Sequence, residues 1–401
     1  MSETMRGMRF LLIVLLISAA FGQTVRQTQS SNTTENLRGA SVVSEQVAWA
    51  SGSHGTYLRT MDGGHTWNVA QVPSAATLDF RGVVAFSAEE AFLMSSGPGE
   101  QSRIYHTSDG GQHWQMQFTG SNPKTFFDSI AFWDSQHGVV LGDPVPDQSG
   151  QLKFQLLVTS DGQTWTPIAS SQMPAAAEGE GAFAASNSCI AILPDHILGD
   201  QIPGNQRSGA AAVGKAEERA RVKTKDGAAS PGSNIWFATG GKVARVFHSA
   251  DRGLSWEVFP TPIVHGADSA GIFSIAFRDA NHGVIAGGDY KHPDWDGPNL
   301  AFTNDGGKSW SLSQIYPQSY YSAVTYDRGA AAHAAAGLED SRAQVRLFLV
   351  APKFIFDFRP PRDPTRISPP KKSGIGFNAV STLPGGGAFF VGPKGSIATI
   401  P

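Results

Sequence analysis

The sequence contains little cysteine and few charged residues, and both shortages exclude classes of protein. Cys189 is the only cysteine among 401 residues, which excludes an internal disulfide framework and a zinc site built from cysteines. Charged residues make up 16% of the chain, against about 25% in a typical soluble domain. The 31 Lys and Arg do not outnumber the 34 Asp and Glu, so the net charge of −3 excludes a nucleic-acid binder that relies on a basic surface.

Turn-forming and aromatic residues, by contrast, are abundant. There are 45 Gly and 24 Pro, together with 24 Phe and 9 Trp. Aromatic residues favour strands, and Gly and Pro favour the turns between them. This composition predicts many short strands around a large apolar core rather than a disordered polypeptide.

The first 22 residues have the pattern of a secretory signal peptide. Arg6 and Arg9 precede an apolar run over residues 10–21, and Ala20 and Gly22 provide small residues for cleavage. The run is shorter than the roughly 20 residues that span a bilayer, and no later segment reaches that length. We expect residues 1–22 to be removed and residues 23–401 to form one exported domain, a monomer in the periplasm or outside the cell, without stable membrane insertion. An uncleaved interfacial anchor is the alternative.

An eight-residue pattern, S/T-x-D-G-G-x-T/S-W, recurs five times along the chain with small variations. Its tryptophans are 47, 51, 91 and 54 residues apart. A spacing of about 50 residues is that of one four-stranded propeller blade, and the long interval is one blade with an insertion of about 40 residues. The aspartates and tryptophans of the five copies are Asp62 and Trp67, Asp109 and Trp114, Asp161 and Trp165, Asp251 and Trp256, and Asp305 and Trp310.

The repeated aspartates are predicted to be structural. Glycine adopts backbone angles that other residues avoid, and an aspartate accepts hydrogen bonds from N–H groups of its own turn. Catalytic carboxylates occur as one pair across one cleft, not once in every repeat. We therefore interpret the motif as the turn of a hairpin between the outer strands of a blade, covered by its tryptophan.

This motif is the Asp-box, or BNR repeat, and its arrangement resembles the photosystem II stability/assembly factor family, particularly relatives in non-photosynthetic bacteria. The resemblance extends over most of residues 37–401 and rests on the five motifs, the apolar strand pairs before them and the ending at residues 376–400. It implies an all-β, seven-bladed β-propeller, in which a strand from residues 27–36 completes the last blade. It also implies a non-catalytic role in binding a protein or peptide partner, as an assembly or stability factor. The sequence shows no photosynthetic context, so a photosystem partner is not carried over.

Two segments depart from the repeat. Residues 193–233 interrupt the fourth blade, either as a docking appendage or, as we favour, as a solvated insertion. Residues 329–373 lie where the sixth blade lacks its motif, and residues 341–373 contain eight Lys or Arg, two Asp and six Pro. A basic surface patch and a local disruption of the reading frame both account for that composition. The nucleotide sequence would distinguish them.

The main alternative function is that of a carbohydrate-active glycoside hydrolase, because sialidases and xyloglucanase-type hydrolases carry the same repeats. Sialidases also need three arginines, a Tyr–Glu pair and usually an Arg-Ile-Pro type segment near the start, and this chain has no such segment. Xyloglucanase-type hydrolases use two propellers, whereas this chain has the length of one. The 11 His show no metal-ligand spacing such as HExxH. We therefore expect no catalytic residues, no metal and no cofactor.

The remaining candidate residues come from aligning the blades, whose innermost strands line the central channel of a propeller. The starts of the first strands place polar residues at one equivalent position: Arg38, Arg81, Asp128, Ser274, Ser322 and Asn378. The ends of the second strands place three more at another: Asp143, Asp289 and Lys394. These residues either solvate the channel or form a funnel for a ligand or peptide. In the second case Arg38 and Arg81 hold a carboxylate, with Asp128 as their internal partner.

Overall fold

The described part of the chain is built from seven antiparallel sheets. The computed structural model describes residues 27–169, 172–193, 233–295, 297–313, 319–329, 346–358 and 376–401. Within these residues the named elements are strands, apart from single 3-10 turns at Gly99–Gln101 and Pro393–Gly395. Each sheet packs between two others, so that the seven sheets form the predicted all-β, seven-bladed propeller.

The first strand, β1 (Gln27–Gln29), belongs to the last blade, and the first three blades follow it with four strands each. Blade 1 consists of β2 (Leu37–Val42), β3 (Ala48–Gly52), β4 (Thr56–Thr60) and β5 (Asn68–Gln71). Blade 2 consists of β6 (Asp79–Ala85), β7 (Ala91–Ser96), β8 (Arg103–Thr107) and β9 (Gln115–Thr119). Blade 3 consists of β10 (Phe127–Phe132), β11 (Gly138–Pro146), β12 (Leu152–Thr159) and β13 (Thr166–Pro167).

The fourth and fifth blades are linked by two extra short strands. The next ten strands are β14 (Glu180–Gly181), β15 (Ile190–Ile192), β16 (Ile235–Ala238), β17 (Gly240–Gly241), β18 (Arg245–Ser249), β19 (Glu257–Pro260), β20 (Ala270–Phe277), β21 (Gly283–Asp289), β22 (Leu300–Thr303) and β23 (Ser311–Leu312). Blade 4 is β15-β16-β18-β19, and blade 5 is β20 to β23. The short strands β14 and β17 pair with each other, and β17 also pairs with β20, so that they extend the sheet of blade 5.

Of the last two blades, only the seventh combines the two ends of the described chain. Blade 6 has three described strands, β24 (Ala323–Tyr326), β25 (Leu347–Ala351) and β26 (Phe354–Phe358). Blade 7 contains β27 (Ala379–Thr382), β28 (Ala388–Gly392) and β29 (Ser396–Ile400). Its fourth strand is β1, which pairs antiparallel with β29, with Gln27 opposite Thr399 and Gln29 opposite Ile397. The predicted closure by the N-terminal strand is therefore confirmed.

The apolar core lies between the blades rather than inside any one of them. Seven clusters of buried side chains occur, and each joins two neighbouring blades. Leu37 and Trp67 of blade 1, for example, pack with Phe389 and Ile397 of blade 7. Because burial of apolar surface drives folding, these interfaces stabilise the closed ring rather than individual blades.

The predicted hairpin motifs lie at the turn between the third and fourth strands, on the face that we call the lower face. In every copy the Asp Oδ1 accepts a main-chain N–H at 2.7–3.0 Å, and the Thr or Ser that opens the motif accepts a glycine N–H at 2.7–3.0 Å. The main-chain N–H and the ring of His113, for instance, hold the pKa of Asp109 at about 2. The carboxylates Asp62, Asp109, Asp161, Asp251 and Asp305 are thus engaged by their own turns.

The tryptophans of these motifs extend the contacts between blades. Trp67 packs edge-on against Phe389 of blade 7, and Trp114 packs edge-on against Tyr57 of blade 1 with ring centroids 5.1 Å apart. Trp165, Trp256 and Trp310 likewise lie in clusters shared by two blades. The motif therefore stabilises the interface between blades as well as its own hairpin.

Blade 6, which lacks the motif, contains a network of charged residues instead. Arg346 binds Asp357 through two hydrogen bonds of 2.9 Å and reaches Asp327 at 3.1 Å. Asp327 also accepts the N–H of Gly387 in blade 7 at 3.3 Å. The predicted signal peptide at residues 1–22, most of the insertion at 193–233 and most of the irregular segment at 329–373 lie outside the described residues.

Candidate functional site

The channel is occupied by residues 182–188, which we call the channel segment. Its side chains and main chain contact the innermost strands of several blades. The Ser188 and Ser274 hydroxyls are 2.7 Å apart, and Ser186 donates to the carbonyl of Ser322 at 2.6 Å. Since innermost strands surround the propeller axis, a segment that touches blades 3, 5 and 6 lies in the middle of the ring.

Asn187 attaches the channel segment to blade 3 by imitating a neighbouring strand. Its amide oxygen accepts the main-chain N–H of Ile130 at 2.8 Å, and its amide nitrogen donates to the carbonyl of the same residue at 3.1 Å. Asn187 has a φ of +60°, a left-handed conformation that asparagine tolerates better than most residues. At the other end, Glu180 in β14 binds Arg245 and Thr239, which fixes the start of the segment.

Arg38 and Arg81 lie close together at the channel segment, as the sequence predicts. Each stands at a β-bulge, where the register of β2 against β3, or of β6 against β7, shifts by one residue. Both guanidinium groups donate to one acceptor, the main-chain carbonyl of Ala184, at 3.1 Å and 3.2 Å. We call these two residues the arginine pair.

The positive charge of the arginine pair is only partly neutralised. Arg81 binds Asp79 at 2.8 Å, so the internal carboxylate partner is Asp79 and not the predicted Asp128. Arg38 forms no ion pair with a described residue, and its buried Nε has no acceptor among them. Burial and the nearby Arg81 lower the pKa of Arg38 to about 10. Two guanidinium groups with one carboxylate leave a site that favours a further anion.

Asp128 and Asp143 form a second, more deeply buried group beside the channel segment. Asp128 is 1% exposed, and neither of its carboxylate oxygens has a hydrogen-bond donor among the described residues. Burial and the nearby Asp143 raise the pKa of Asp128 well above its usual range. Asp143 accepts the N–H of Ala182 at 2.9 Å, and burial raises its pKa to about 6. Burial therefore favours the neutral form of the Asp128 carboxyl group over its charged form beside the arginine pair.

The pairing registers correct three of the predicted equivalences. In blade 5 the bulge falls between Ile272 and Ser274, so the residue equivalent to Asp128 is Phe273 rather than Ser274. Gly142 of blade 3 corresponds to Gly287 of blade 5 and to Gly392 of blade 7. Asp289 and Lys394 therefore stand one residue beyond the position of Asp143. Local insertions of one residue shift an alignment made by sequence alone.

The three other predicted residues make their described contacts away from the arginine pair. Asn378 donates to the Asn36 side chain at 2.8 Å and to the Leu37 carbonyl at 2.7 Å, so it ties blade 7 to blade 1. Asp289 pairs with His292 at 2.7 Å. Burial raises the pKa of Asp289, but the hydrogen bonds from His292 and Ser269 outweigh the effect of burial, so the pKa is lowered overall. Lys394 is exposed and lines a groove of about 720 Å³ beside β1.

Two further properties of the described residues concern metals and membranes. No group of three or more His, Cys, Asp or Glu among them is arranged to hold a metal ion. Within the same residues, no helix has the length and apolar character needed to cross a bilayer.

The channel segment is the feature that sequence reasoning missed. The available signal was the length of the connection between β13 and β15, residues 168–189, compared with residues 72–78 between β5 and β6. A long connection without a repeat motif indicates a chain that leaves the blade pattern. The mostly small and polar residues of this segment, AFAASNS at 182–188, give no further indication of where that chain goes.

Comparison with known proteins agrees with the sequence resemblance. The family model of the Photosynthesis system II assembly factor YCF48 matches residues 18–116. This match confirms, over these residues, the resemblance predicted from the repeats. No curated protein matches the sequence.

Solved structures show how widely the fold is shared. The structure described as YCF48 bound to D1 peptide has a TM-score of 0.58 and 13% identity, covering 95% of this chain and 96% of that chain. The structure of U3-55K has a TM-score of 0.57 and 9% identity, covering 94% and 98%. The WD40 propeller domain of Doa1 has a TM-score of 0.53 and 10% identity, covering 94% and 97%. At these identities the likeness establishes the propeller fold alone.

Proposed function

We propose that this chain is a non-catalytic propeller that binds a peptide segment of a partner protein through the arginine pair, as an assembly or stability factor. The observation that carries the proposal is the convergence of Arg38 and Arg81 on the single carbonyl of Ala184. Among the described residues, Asp79 is the one carboxylate in an ion pair with them. Guanidinium groups in this arrangement suit a carboxylate, which accepts several charge-assisted hydrogen bonds. The resemblance to the YCF48 family, and a YCF48 structure with a bound D1 peptide, support a peptide as the partner.

A glycoside hydrolase is supported less well by the same geometry. The two carboxyl groups with raised pKa, Asp128 and Asp143, resemble in that respect the acid of a glycosidase. Asp128, however, is 1% exposed, and Asp143 binds the channel segment through Ala182. A sugar would therefore not reach Asp128, and Asp143 is already engaged by that segment. Glycoside hydrolysis is therefore measured as an alternative outcome of the binding experiment.

We also propose that the protein is exported as a monomer after cleavage behind residue 22, on the pattern of residues 1–22. Expression of the full chain in a bacterial host, followed by N-terminal sequencing of the periplasmic fraction, tests export. A mature N-terminus at residue 23 is expected, whereas an intact leader in the cytoplasm would contradict it. Light scattering of the same material measures the mass.

The binding proposal is tested with an array of octapeptides that carry free C-terminal carboxylates and are immobilised through their N-termini. We expect wild-type protein to bind a subset, and the double variant Arg38→Ala, Arg81→Ala to lose that binding while its circular dichroism stays unchanged. A parallel screen with aryl glycosides measures hydrolysis. Glycoside turnover, or equal peptide binding by the folded double variant, would refute the proposed function.

A further inference from the structure

An aromatic cluster lies directly beside the arginine pair. The ring of Phe183, one residue before Ala184, packs edge-on against Phe273 with centroids 4.5 Å apart and lies 6.4 Å from Tyr290. Tyr320 packs edge-on against Phe273 at 5.6 Å, and the positive charge of Arg38 acts on its hydroxyl. The rings therefore form a continuous series from Tyr320 through Phe273 to Tyr290.

One ring of this cluster is held in place yet open to solvent. Phe273 is 2% exposed, whereas Tyr290 is 46% exposed at the end of the cluster. The main-chain N–H of Tyr290 binds the carbonyl of Ser269 at 3.2 Å, which fixes its backbone. The backbone beneath the cluster is glycine, since a Cβ on Gly240 would stand 2.4 Å from the Phe183 ring. An exposed aromatic ring with a fixed backbone and buried ring neighbours is a preformed contact surface.

We infer that Tyr290 and Phe183 form a subsite for an aromatic side chain located within about three residues of the carboxylate that the arginine pair binds. The inference rests on the proposed function and names the class of peptide: one that combines a free carboxylate with a nearby Phe, Tyr or Trp. Phe183 and Ala184 are consecutive, so one peptide bond joins the residue whose carbonyl binds the arginine pair to a ring of the cluster. A single peptide therefore reaches both.

The chemical class of the bound peptide follows from the arginine pair and the aromatic surface beside it. The arginine pair requires an anion, and the neighbouring surface offers the edges and faces of rings, which favour stacked or edge-on contact with another ring. The carboxylates near Tyr290 already have partners, because Asp289 lies 2.7 Å from the His292 ring and Asp294 pairs with Lys353. The cluster thus adds apolar contact beside the anion site.

The experiment measures affinities of three octapeptides that differ only at the residue before the C-terminal one, which is Phe, Leu or Ser, each with a free carboxylate. For wild-type protein we expect the Phe peptide to bind about 10-fold more tightly than the Ser peptide, and the Leu peptide to lie between them. Tyr290→Ser should reduce the Phe-to-Ser ratio to about 2 or less. It should leave the affinity of the Ser peptide unchanged, and Tyr290→Phe should restore the ratio.

Leu254→Ser is the matched control, because Leu254 is 67% exposed but lies in a hairpin motif on the lower face. This variant should keep the wild-type ratio. An unchanged ratio in Tyr290→Ser, or equal binding of the Phe and Ser peptides by wild type, would overturn the aromatic subsite. Amidated versions of the three peptides separate this result from a failure of the proposed function, which would appear as equal binding of acid and amide.

Discussion

The substitution Asn187→Ala is expected to lower the free energy of unfolding by about 3 kcal/mol. The Asn187 side chain provides both the acceptor and the donor for the main chain of Ile130, which is 1% exposed. A buried N–H without an acceptor costs about 1–3 kcal/mol, and the stranded carbonyl adds to it. Alanine at a φ of +60° adds on the order of 1 kcal/mol more.

The assay is equilibrium unfolding in urea, followed by tryptophan fluorescence. Asn32→Ala is the matched control, because Asn32 has a φ of +59° but is exposed, and among the described residues its side chain accepts only the hydroxyl of Ser30. The control carries the conformational cost without the buried hydrogen bonds, so it should lose about 1 kcal/mol or less. Equal losses in the two variants would refute the reasoning that the channel segment is fixed by Asn187.

Three further predictions concern stability. Because the pKa of Asp143 is raised from 3.8 to about 6, the folded protein holds this proton more tightly than the unfolded chain. The contribution of Asp143 to stability should be fully present below pH 3.8 and should be lost as the pH rises through 6. Asp143→Asn should remove up to about 3 kcal/mol of that decline, measured by urea unfolding across pH 4–8. Thr107→Val should cost about 1–3 kcal/mol by stranding the N–H of Gly111, with peptide binding unchanged in the array; a loss of binding at full stability would contradict the structural role of the motif. Arg346→Met should cost about 3–5 kcal/mol, because it leaves Asp327 and Asp357 buried without their partner; an unchanged urea midpoint would show that the network adds no stability.

The fold was predictable because its repeats are local. Each motif carries its own turn chemistry, so Asp109 and Trp114 indicate a hairpin whatever surrounds them. The closure of blade 7 was predictable for a related reason, since a strand edge requires a partner and the N-terminal strand was available.

The site was only partly predictable because it is built from contacts between distant parts of the chain. The convergence of Arg38 and Arg81 follows from equivalent bulges in adjacent blades. Their shared acceptor, Ala184, is 146 and 103 residues away from them and carries no side-chain signal. Asp79 was missed as the partner of Arg81 because it lies two residues away on the same strand, whereas the blade alignment indicated Asp128 in the next blade.

The most direct test of the arginine pair as an anion site is a calorimetric titration of one array-selected octapeptide in two forms, free acid and C-terminal amide, against wild type and against Arg38→Ala, Arg81→Ala. Loss of charge-assisted hydrogen bonds worth about 1.5–3 kcal/mol corresponds to a weakening of roughly 10- to 150-fold. We predict a weakening in this range for the amide with wild type, and for the acid with the double variant. Acid and amide that bind wild type equally, or a folded double variant with wild-type affinity for the acid, would contradict the account.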